Sequence, residues 1–427
     1  MIQIQRLASE AVSEVLAGRN LDRVLRQTWS QHADALTPSE RGAIQDISFG
    51  TLRFLGELRA ILARLVTRPT NDADIFALLV VALFQLKHSK AATHAVVDHA
   101  VQTTEALGKP HLKGFVNGVL RNYLRQSAAL ATAPENDLEA RYSFPAWWID
   151  RVQNQYPHHW QAIFEAQNQH PPMTLRVNRR LIDVHAYMSQ LSNLGIAAIV
   201  GEYESIILQN PINVDKLPGF EDGLVSIQDQ GAQLAAQLLD LAPGQRVLDA
   251  CAAPGGKAGH ILEWADVELT AIDKDSARLA QVQDNLKRLN LQATLKAADA
   301  IKLDKWWDNR LFDRILCDVP CTASGVVKRH PDIKWLRREA DVASFAQQQA
   351  ELLAALWRTL TPGGKLLYAT CSIFAAENQV QVVDFCKHHV DALALALPGA
   401  DPQGLQLLPD AQSDGFFYAL LEKRREL

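Results

Sequence analysis

The stretch Val247-Leu248-Asp249-Ala250-Cys251-Ala252-Ala253-Pro254-Gly255-Gly256-Lys257 decides the fold. A short apolar run is followed by turn chemistry at Ala253-Pro254-Gly255-Gly256 and then by a helical pattern. Strand, tight loop and helix in that order leave backbone N–H groups and the positive end of a helix at the strand tip, where an anionic group of a ligand can sit. Two common nucleotide loops are excluded. A phosphate-cradling loop needs glycine where Cys251 stands and a hydroxyl residue where Ala258 stands, and no G-x-G-x-x-G is present.

Outward from this loop, strand and helix patterns alternate. Strands are expected at residues 246–249, 269–273, 293–297, 312–317 and 365–369, with helices between them. Such alternation predicts a mostly parallel sheet covered by helices on both faces, with ligands bound outside the carboxyl ends of the strands. The ending Gly415-Phe416-Phe417-Tyr418-Ala419-Leu420-Leu421 reads as a late strand added antiparallel at an edge. Asp273 ends the second strand and Asp299 follows the third. Taken singly, each is a common turn or helix-cap residue. After such a loop they suit a ligand with a carboxylate at one end, a ribose in the middle for Asp273 and an adenine amino group for Asp299. S-adenosylmethionine has those three parts.

Two cysteines then stand just past strand ends: Cys321 in Cys317-Asp318-Val319-Pro320-Cys321, and Cys371 in Ala369-Thr370-Cys371-Ser372. Cytosine carbon 5 is too poor a nucleophile to take a methyl group directly. Addition of a thiolate to carbon 6 makes the ring enamine-like and removes that obstacle. The adduct also needs a group holding the N3 edge in its protonated form, for which Asp318 is placed, and a base for the carbon 5 proton. An ordinary thiol, with a pKa of about 8.5, is only slightly ionised at neutral pH, so the nucleophile should lie near positive charge. Lys257 is the nearest candidate by topology. Cys251, Cys317 and Cys386 read instead as small buried hydrophobes.

The chain of 427 residues has a net charge of −5, with 48% hydrophobic and 21% charged residues, as an ordinary multidomain protein does. No apolar run reaches membrane-spanning length, and Met1-Ile2-Gln3-Ile4-Gln5-Arg6 lacks the pattern of a signal peptide, so a cytoplasmic location is expected. Five cysteines without paired short spacing argue against a disulfide framework or a metal site. Charge is unevenly spread: residues 1–130 carry 15 Lys plus Arg against 11 Asp plus Glu, whereas acid exceeds base in the remainder. A polyanionic partner for the first third is compatible with this, as is an ordinary helical surface.

That first third reads as helical throughout. Thr37-Pro38-Ser39-Glu40 has the form of a capping box, opening a long helical stretch through Ile44, Ile47, Leu55, Leu58, Ile61, Leu62 and Leu65. Residues 75–86 predict a central buried helix, and further helices are expected at 93–107 and 112–125, followed by a linker over 127–139. From Pro171 a small α/β module begins, with strands at 174–177 and near Ile199 and Ile206 and a helix around 185–194. Its Arg176, Asn178, Arg179 and Arg180 suit either phosphate contact or a solvated strand end. The segment Lys328-Arg329-His330-Pro331-Asp332-Ile333-Lys334-Trp335-Leu336-Arg337-Arg338 likewise suits a flipped base with its flanking phosphates, or a solvated basic helix.

At these residues the chain resembles the RNA cytosine-5 methyltransferases, and within them the bacterial Sun/Fmu (RsmB) type that modifies 16S ribosomal RNA. The likeness runs through the cofactor loop, Asp318-Val319-Pro320-Cys321-Thr322-Ala323-Ser324-Gly325, the segment from Arg329 to Leu336, Tyr368-Ala369-Thr370-Cys371-Ser372 and Asp414-Gly415-Phe416-Phe417-Tyr418. The amino-terminal helices, with Gly114-Phe115-Val116-Asn117-Gly118-Val119-Leu120-Arg121, resemble the NusB-type RNA-binding domain. The resemblance implies an all-α NusB-like domain over 1–130, a linker and small α/β, RRM-like module over 131–226, and a Rossmann-like class I methyltransferase domain over 227–427. It further implies Cys371 as nucleophile, Cys321 as the residue assisting proton removal and product release, and Asp318 as the residue orienting the base. Cys251, Ala252, Ala253, Pro254, Gly255, Gly256 and Lys257, with Asp273, Asp299 and Asp318, would hold S-adenosylmethionine. The implied target is cytosine 967 of 16S rRNA, free or in early assembly, met by a monomer without metal or membrane. Departures are slight: Val319 stands where alanine is commoner, Thr322 where serine is, and Cys317 where an aliphatic residue is.

Three other readings stay open on the sequence. An amino-group methyltransferase shares the sheet but needs no thiol. A non-catalytic NusB-like RNA-binding factor would tolerate loss of either cysteine. The same chemistry directed at transfer RNA or another ribosomal cytosine is equally consistent with the motifs.

Overall fold

The computed structural model describes residues 2–68, 70–130 and 137–425. The chain forms two compact units, Met1–Asn168 with Val327–Glu339, and Gln169–Val326 with Ala340–Leu427.

The first unit is helical. Thr37 and Glu40 form the expected capping box, each side chain receiving the other's backbone N–H, with Pro38 at the first helical position. The long helix expected from there is two helices, Pro38–Arg53 and Leu55–Leu65, because Phe54 leaves helical geometry at φ −107° and ψ 17°. Ala73–His88 is the central helix, buried on nearly every face from Ile75 to Gln85. Helices Thr93–Ala106 and Lys113–Gln126 lie where the periodicity predicts them. Of the linker expected over 127–139, residues 131–136 lie outside the described residues, and its last two residues begin a helix. From there the chain makes three short helices, Leu138–Tyr142, Ala146–Gln155 and Trp160–Gln167, that the sequence reading did not foresee. Aromatic packing holds them: Phe144 lies 4.4 Å from Phe164 and 5.7 Å from Trp148, centroid to centroid.

Val327–Glu339 belongs to this unit, and two of its basic residues are neither solvated nor turned outward, whereas Arg338 is exposed and Arg329 and Arg337 partly so. Lys328 and Lys334 are fully buried. Lys334 Nζ donates to the Arg53 carbonyl at 2.7 Å and to Asn168 Oδ1 at 3.0 Å, and lies 4.4 Å from the Phe144 ring centroid. The Arg53 carbonyl closes a helix, the end that favours a cation. Burial, then the charge of Arg53, drives the Lys334 ammonium well below its ordinary range. Asp332 accepts from Asn20 Nδ2 and Leu21 N, both at 3.0 Å, and so caps helix Leu21–Gln31. Trp335 Nε1 donates to the Leu52 carbonyl at 2.7 Å. Lys334, Asp332 and Trp335 thus hold the segment to the helices.

The second unit opens with an antiparallel sheet, order β2-β3-β1-β4, of strands β1 (Met173–Val177), β2 (Ala198–Val200), β3 (Ile206–Leu208) and β4 (Val225–Ile227). Helix Val184–Asn193 supplies Tyr187 and Leu191 to its core beside Leu175, Ile206 and Val225. Of the cluster read as phosphate contact or solvated strand end, Arg176 and Asn178 are buried and structural, whereas Arg179 and Arg180 are exposed. Arg176 is buried and paired with Glu263, Asn178 donates to the Gly223 carbonyl, and Arg180 Nε donates to the Glu263 carbonyl.

The large sheet follows, built from β5 (Arg246–Ala250), β6 (Glu268–Asp273), β7 (Thr294–Ala297), β8 (Phe312–Asp318), β9 (Leu360–Thr370), β10 (Ala392–Leu395), β11 (Leu405–Leu407) and β12 (Phe416–Lys423). Its order is β10-β12-β9-β8-β5-β6-β7, with β11 paired to β12. The five strands from β9 to β7 are parallel. Helices Gln230–Leu238, Gly256–Trp264 and Ser276–Arg288 cover one face through Ala235, Ile261 and Val282. Glu339–Trp357 and Gln379–His388 cover the other through Leu353, Leu356 and Val382. β12 is antiparallel as expected, but it is not at the edge, because β10 and β11 pair along its outer side. Those strands have four and three residues of Ala, Leu and Gln, too short and too helix-favouring for pattern to reveal. Chain order reverses between β5 and β8, and the crevice outside the carboxyl ends at such a switch point is where ligands bind.

Candidate active site

β5 delivers the loop Cys251 to Gly256 to the start of helix Gly256–Trp264. Gly255 has φ 99°, and a Cβ there would stand 3.0 Å from the Val282 backbone, so only glycine makes this turn beside helix Ser276–Arg288. The loop is held from β6: Ala253 N donates to Asp273 Oδ2 at 3.2 Å, and Ala252 N to the Ile272 carbonyl at 2.8 Å. Asp273 Oδ1 accepts from Asp275 N at 3.0 Å. Asp273, Asp299, Cys251, Ile301 and Pro320 line one hollow along the ends of β5 to β8, so both expected aspartates border the same space.

Asp249 lies beneath the loop and is fully buried, with neither carboxyl oxygen hydrogen-bonded. Burial, then the charge of Asp318, pushes its pKa up to about 7. Burial, then the same aspartate, pushes the Cys251 thiol up to about 12, in keeping with its reading as an unreactive sulfur. Lys257 Nζ meets Asp318 Oδ2 at 2.7 Å. Burial alone would depress this ammonium, but the charge and hydrogen bond of Asp318 outweigh it and hold the lysine above its ordinary value. Asp273 and Asp299 line the hollow together with Lys274 and Arg278, whose guanidinium lies 3.7 Å from Asp273 Oδ2, and Asp318 faces Lys257, so acids and bases both surround the space. The loop's helix end accepts the anionic end of a ligand. The residues present therefore fit a zwitterionic, sulfonium-bearing nucleoside.

β8 and β9 bring the thiols together. They pair in parallel, Cys317 opposite Tyr368 and Asp318 opposite Ala369, and Val319 N donating to the Ala369 carbonyl carries the pairing past the strand end. Cys321 Sγ and Cys371 Sγ then lie 3.4 Å apart, a hydrogen-bonding distance. Cys321 is buried and Cys371 only partly so. The hydrogen bond to Cys371, with burial, raises the Cys321 thiol well above its ordinary range. The two loops close on a third: Gly325 N donates to the Cys371 carbonyl and Gly415 N to the Gly325 carbonyl, each at 2.8 Å. A Cβ on Gly325 would come within 2.2 Å of the Gly415 carbonyl oxygen, so this close approach requires glycine.

Glu377 was missed by the sequence reading. It is fully buried and accepts from Thr322 N at 2.8 Å, Gln349 Nε2 at 3.2 Å, and the hydroxyls of Thr322 and Ser372 at 2.5 Å each. The available signal was an acid six residues after Cys371, following the apolar run Ile373-Phe374-Ala375-Ala376. Among the described residues no group of His, Cys, Asp and Glu is arranged to hold a metal, and no helix is long and apolar enough to cross a membrane.

Comparison with known proteins matches residues 236–422 to the 16S rRNA methyltransferase RsmB/F model, 144–215 to the ferredoxin-like domain of RsmF/B-like methyltransferases, and 3–125 to the NusB family. Ribosomal RNA small subunit methyltransferase B of Klebsiella pneumoniae is 42% identical over 99% of each chain. Its counterpart in Pseudomonas syringae pv. tomato is 43% identical over 97% of this chain and 96% of its own. The crystal structure of PH0851 superposes with a TM-score of 0.82 at 25% identity, covering 99% of both chains. A methyltransferase homolog protein from Pyrococcus horikoshii gives a TM-score of 0.58 at 28% identity over 68% of this chain and all of its own. With relatives this similar along its whole length, the chain belongs to the 16S rRNA methyltransferase RsmB/F family.

Proposed function

We propose that this methyltransferase modifies carbon 5 of a cytosine in 16S rRNA, cytosine 967, with S-adenosylmethionine as methyl donor and a covalent cysteine adduct as intermediate. The observation that carries the reading is the pair of sulfurs 3.4 Å apart at the ends of adjacent strands, beside a cofactor loop whose lysine bonds Asp318. An amino-group methyltransferase has no use for that pair. Cys371 is the nucleophile: it is the more exposed sulfur, and Lys257 feels its charge. Its thiolate forms the bond to carbon 6 while Asp318 supplies the proton that holds N3 in its protonated form. S-adenosylmethionine supplies the methyl group to carbon 5. Cys321, its own proton first released to solvent, then takes the carbon 5 proton as the Cys371–carbon 6 bond breaks and the ring regains its double bond; the carbon 5 proton ends on Cys321, the electron pair on Cys371 and the N3 proton back on Asp318.

Cys251 to Lys257, Asp273, Asp299 and Asp318 hold the donor. Residues 1–130 serve as an RNA-binding domain and 227–427 as the catalytic domain, joined by the module within 131–226. The protein acts as a cytoplasmic monomer on free or early-assembling RNA. Curated relatives named for the small-subunit rRNA support the RNA assignment.

The test uses a 16S rRNA transcript, S-adenosylmethionine and two variants. Cys371→Ala abolishes methylation and leaves no protein-RNA adduct, whereas Cys321→Ala accumulates an adduct that survives a denaturing gel. An adduct trapped by Cys371→Ala, or normal turnover by Cys321→Ala, reverses or removes the assigned roles. Mapping 5-methylcytosine in rRNA from cells with and without the protein fixes the target position.

A further inference from the structure

The thiols lie on two separate loops, and a spacing of 3.4 Å between sulfurs on independent loops needs something to set it. Backbone pairing of β8 with β9 stops at Val319, before Cys321 is reached. Beyond that point the loops are joined mainly by polar side chains, and these converge on Glu377. Its Oε1 accepts the Thr322 N–H, and its Oε2 accepts the Thr322 and Ser372 hydroxyls. Thr322 immediately follows Cys321, and Ser372 immediately follows Cys371. With its hydrogen committed to Glu377, the Ser372 oxygen faces the Ser324 hydroxyl at 2.9 Å and accepts Phe374 N at 3.0 Å. Ser324 in turn accepts Ile373 N at 2.9 Å. Gln349 donates both to Glu377 and, at 2.9 Å, to the Pro320 carbonyl one residue before Cys321. A carboxylate accepts only, so it fixes the direction of every one of these bonds, and its short bonds to hydroxyls are of the strong, charge-assisted kind.

We propose that Glu377 is the positioning residue of the thiol pair: by binding the residue after each cysteine it sets the spacing at which Cys321 reaches the carbon 5 proton of the Cys371 adduct. This rests on the roles proposed above for the two cysteines. Glu377 does not touch RNA or cofactor in this scheme; it acts through Thr322 and Ser372. Burial lifts its own carboxyl above the ordinary range against the opposing bonds from Ser372 and Thr322. Its charge adds to the hydrogen bond and burial that raise the Cys321 thiol.

Glu377→Gln is nearly the same size but puts an NH2 where an acceptor oxygen stood, so at least one loop loses its bond. Single-turnover reactions on the 16S rRNA transcript are followed by denaturing gel, with the thermal midpoint and the KM for S-adenosylmethionine measured alongside. Displacement of a reacting group by about 1 Å costs roughly 10²-fold. Adduct decay in Glu377→Gln should slow by about that factor, with adduct formation less affected and the KM unchanged. The alkaline limb of the decay rate should move to lower pH, since Cys321 loses a neighbouring negative charge. Thr322→Val should slow decay in the same direction and Thr322→Ser should restore it, a comparison that serves where Glu377→Gln does not fold. Wild-type decay and pH dependence in folded Glu377→Gln, or a lowered midpoint and raised KM with unchanged decay, overturn the positioning role. Failure of the underlying reading looks different: Cys371→Ala would then form an adduct, or Cys321→Ala would not accumulate one, whatever Glu377 does.

Discussion

Helix Gly256–Trp264 carries an ion pair toward each end, and the two pairs do opposite work. At one, Arg176 grips Glu263 with both ends of its guanidinium, Nε to Oε2 at 2.8 Å and Nη2 to Oε1 at 2.6 Å. Its remaining donors go to Gln228 Oε1, the Gly256 carbonyl and the Ser226 hydroxyl. Side-chain exposure of the pair is 2% and 1%, so nothing is left over for a ligand. At the other, Lys257 meets Asp318 through a single bond of 2.7 Å, with exposures of 16% and 27%, and the unpaired Asp249 lies close enough for Asp318 and Lys257 both to shift its carboxyl. Saturation distinguishes structure from chemistry here. A buried charge whose every donor is matched fixes the fold, whereas one left with open valence at a crevice is available to a substrate.

Three substitutions break or sharpen that contrast. The largest effect belongs to the saturated pair. Arg176→Met strands Glu263 as an uncompensated buried carboxylate, a change that costs about 3–5 kcal/mol. The denaturation midpoint should fall accordingly, and Arg176→Met with Glu263→Leu should recover most of it. A double variant as unstable as the sum of the singles would mean that the two side chains do not act as a pair. At the open pair the order of effects inverts. Lys257→Met leaves an Asp318 that is 27% exposed, so stability should fall by less than in Arg176→Met. The methylation rate should nevertheless fall by about 10²-fold or more, the scale of losing a preorganised charge beside a developing one. A Lys257→Met enzyme of near wild-type rate would place the open pair in the same class as the closed one.

What the sequence made legible were the features defined by a few consecutive residues: the loop after β5, the aspartates ending or following strands, and the two thiols past β8 and β9. Strand-end placement is enough to bring such groups to one crevice. What stayed hidden depended on partners far along the chain. Lys328 and Lys334 look like an RNA-facing run until the carbonyl of Arg53 and the side chain of Asn168 supply their surroundings from 281 and 166 residues away in the case of Lys334. Arg176 misled for the same reason, its partner Glu263 lying 87 residues on. Glu377 was invisible because its significance comes from Thr322, 55 residues earlier. Polar residues within local motifs were placed at strand ends as the sequence predicts, while those matched at long range were passed over or lacked their partners in any sequence reading.

Asp249 separates the two kinds of buried charge by titration and should give the smallest of the three effects. Its carboxyl is raised to about 7 by burial and then by Asp318, whereas in the unfolded chain it returns to about 3.9. The sign follows directly: a carboxyl raised on folding keeps its proton in the native state between those values, so native structure binds more protons than the unfolded chain there. Stability contributed by this group is fully present below about pH 4 and is lost as pH rises through about 7. Asp249→Asn removes the titrating proton while keeping the shape. Its thermal midpoint should therefore lack the decline between about pH 4 and 7 that this group gives the wild type, and should exceed the wild-type midpoint at pH 8. Arg176→Met with Glu263→Leu should leave the slope over that interval intact, because neither residue is among the charges that shift Asp249. Equal slopes in wild type and Asp249→Asn would mean that Asp249 is already ionised and matched, and the distinction between an open and a closed end of the helix would fail at its most buried point.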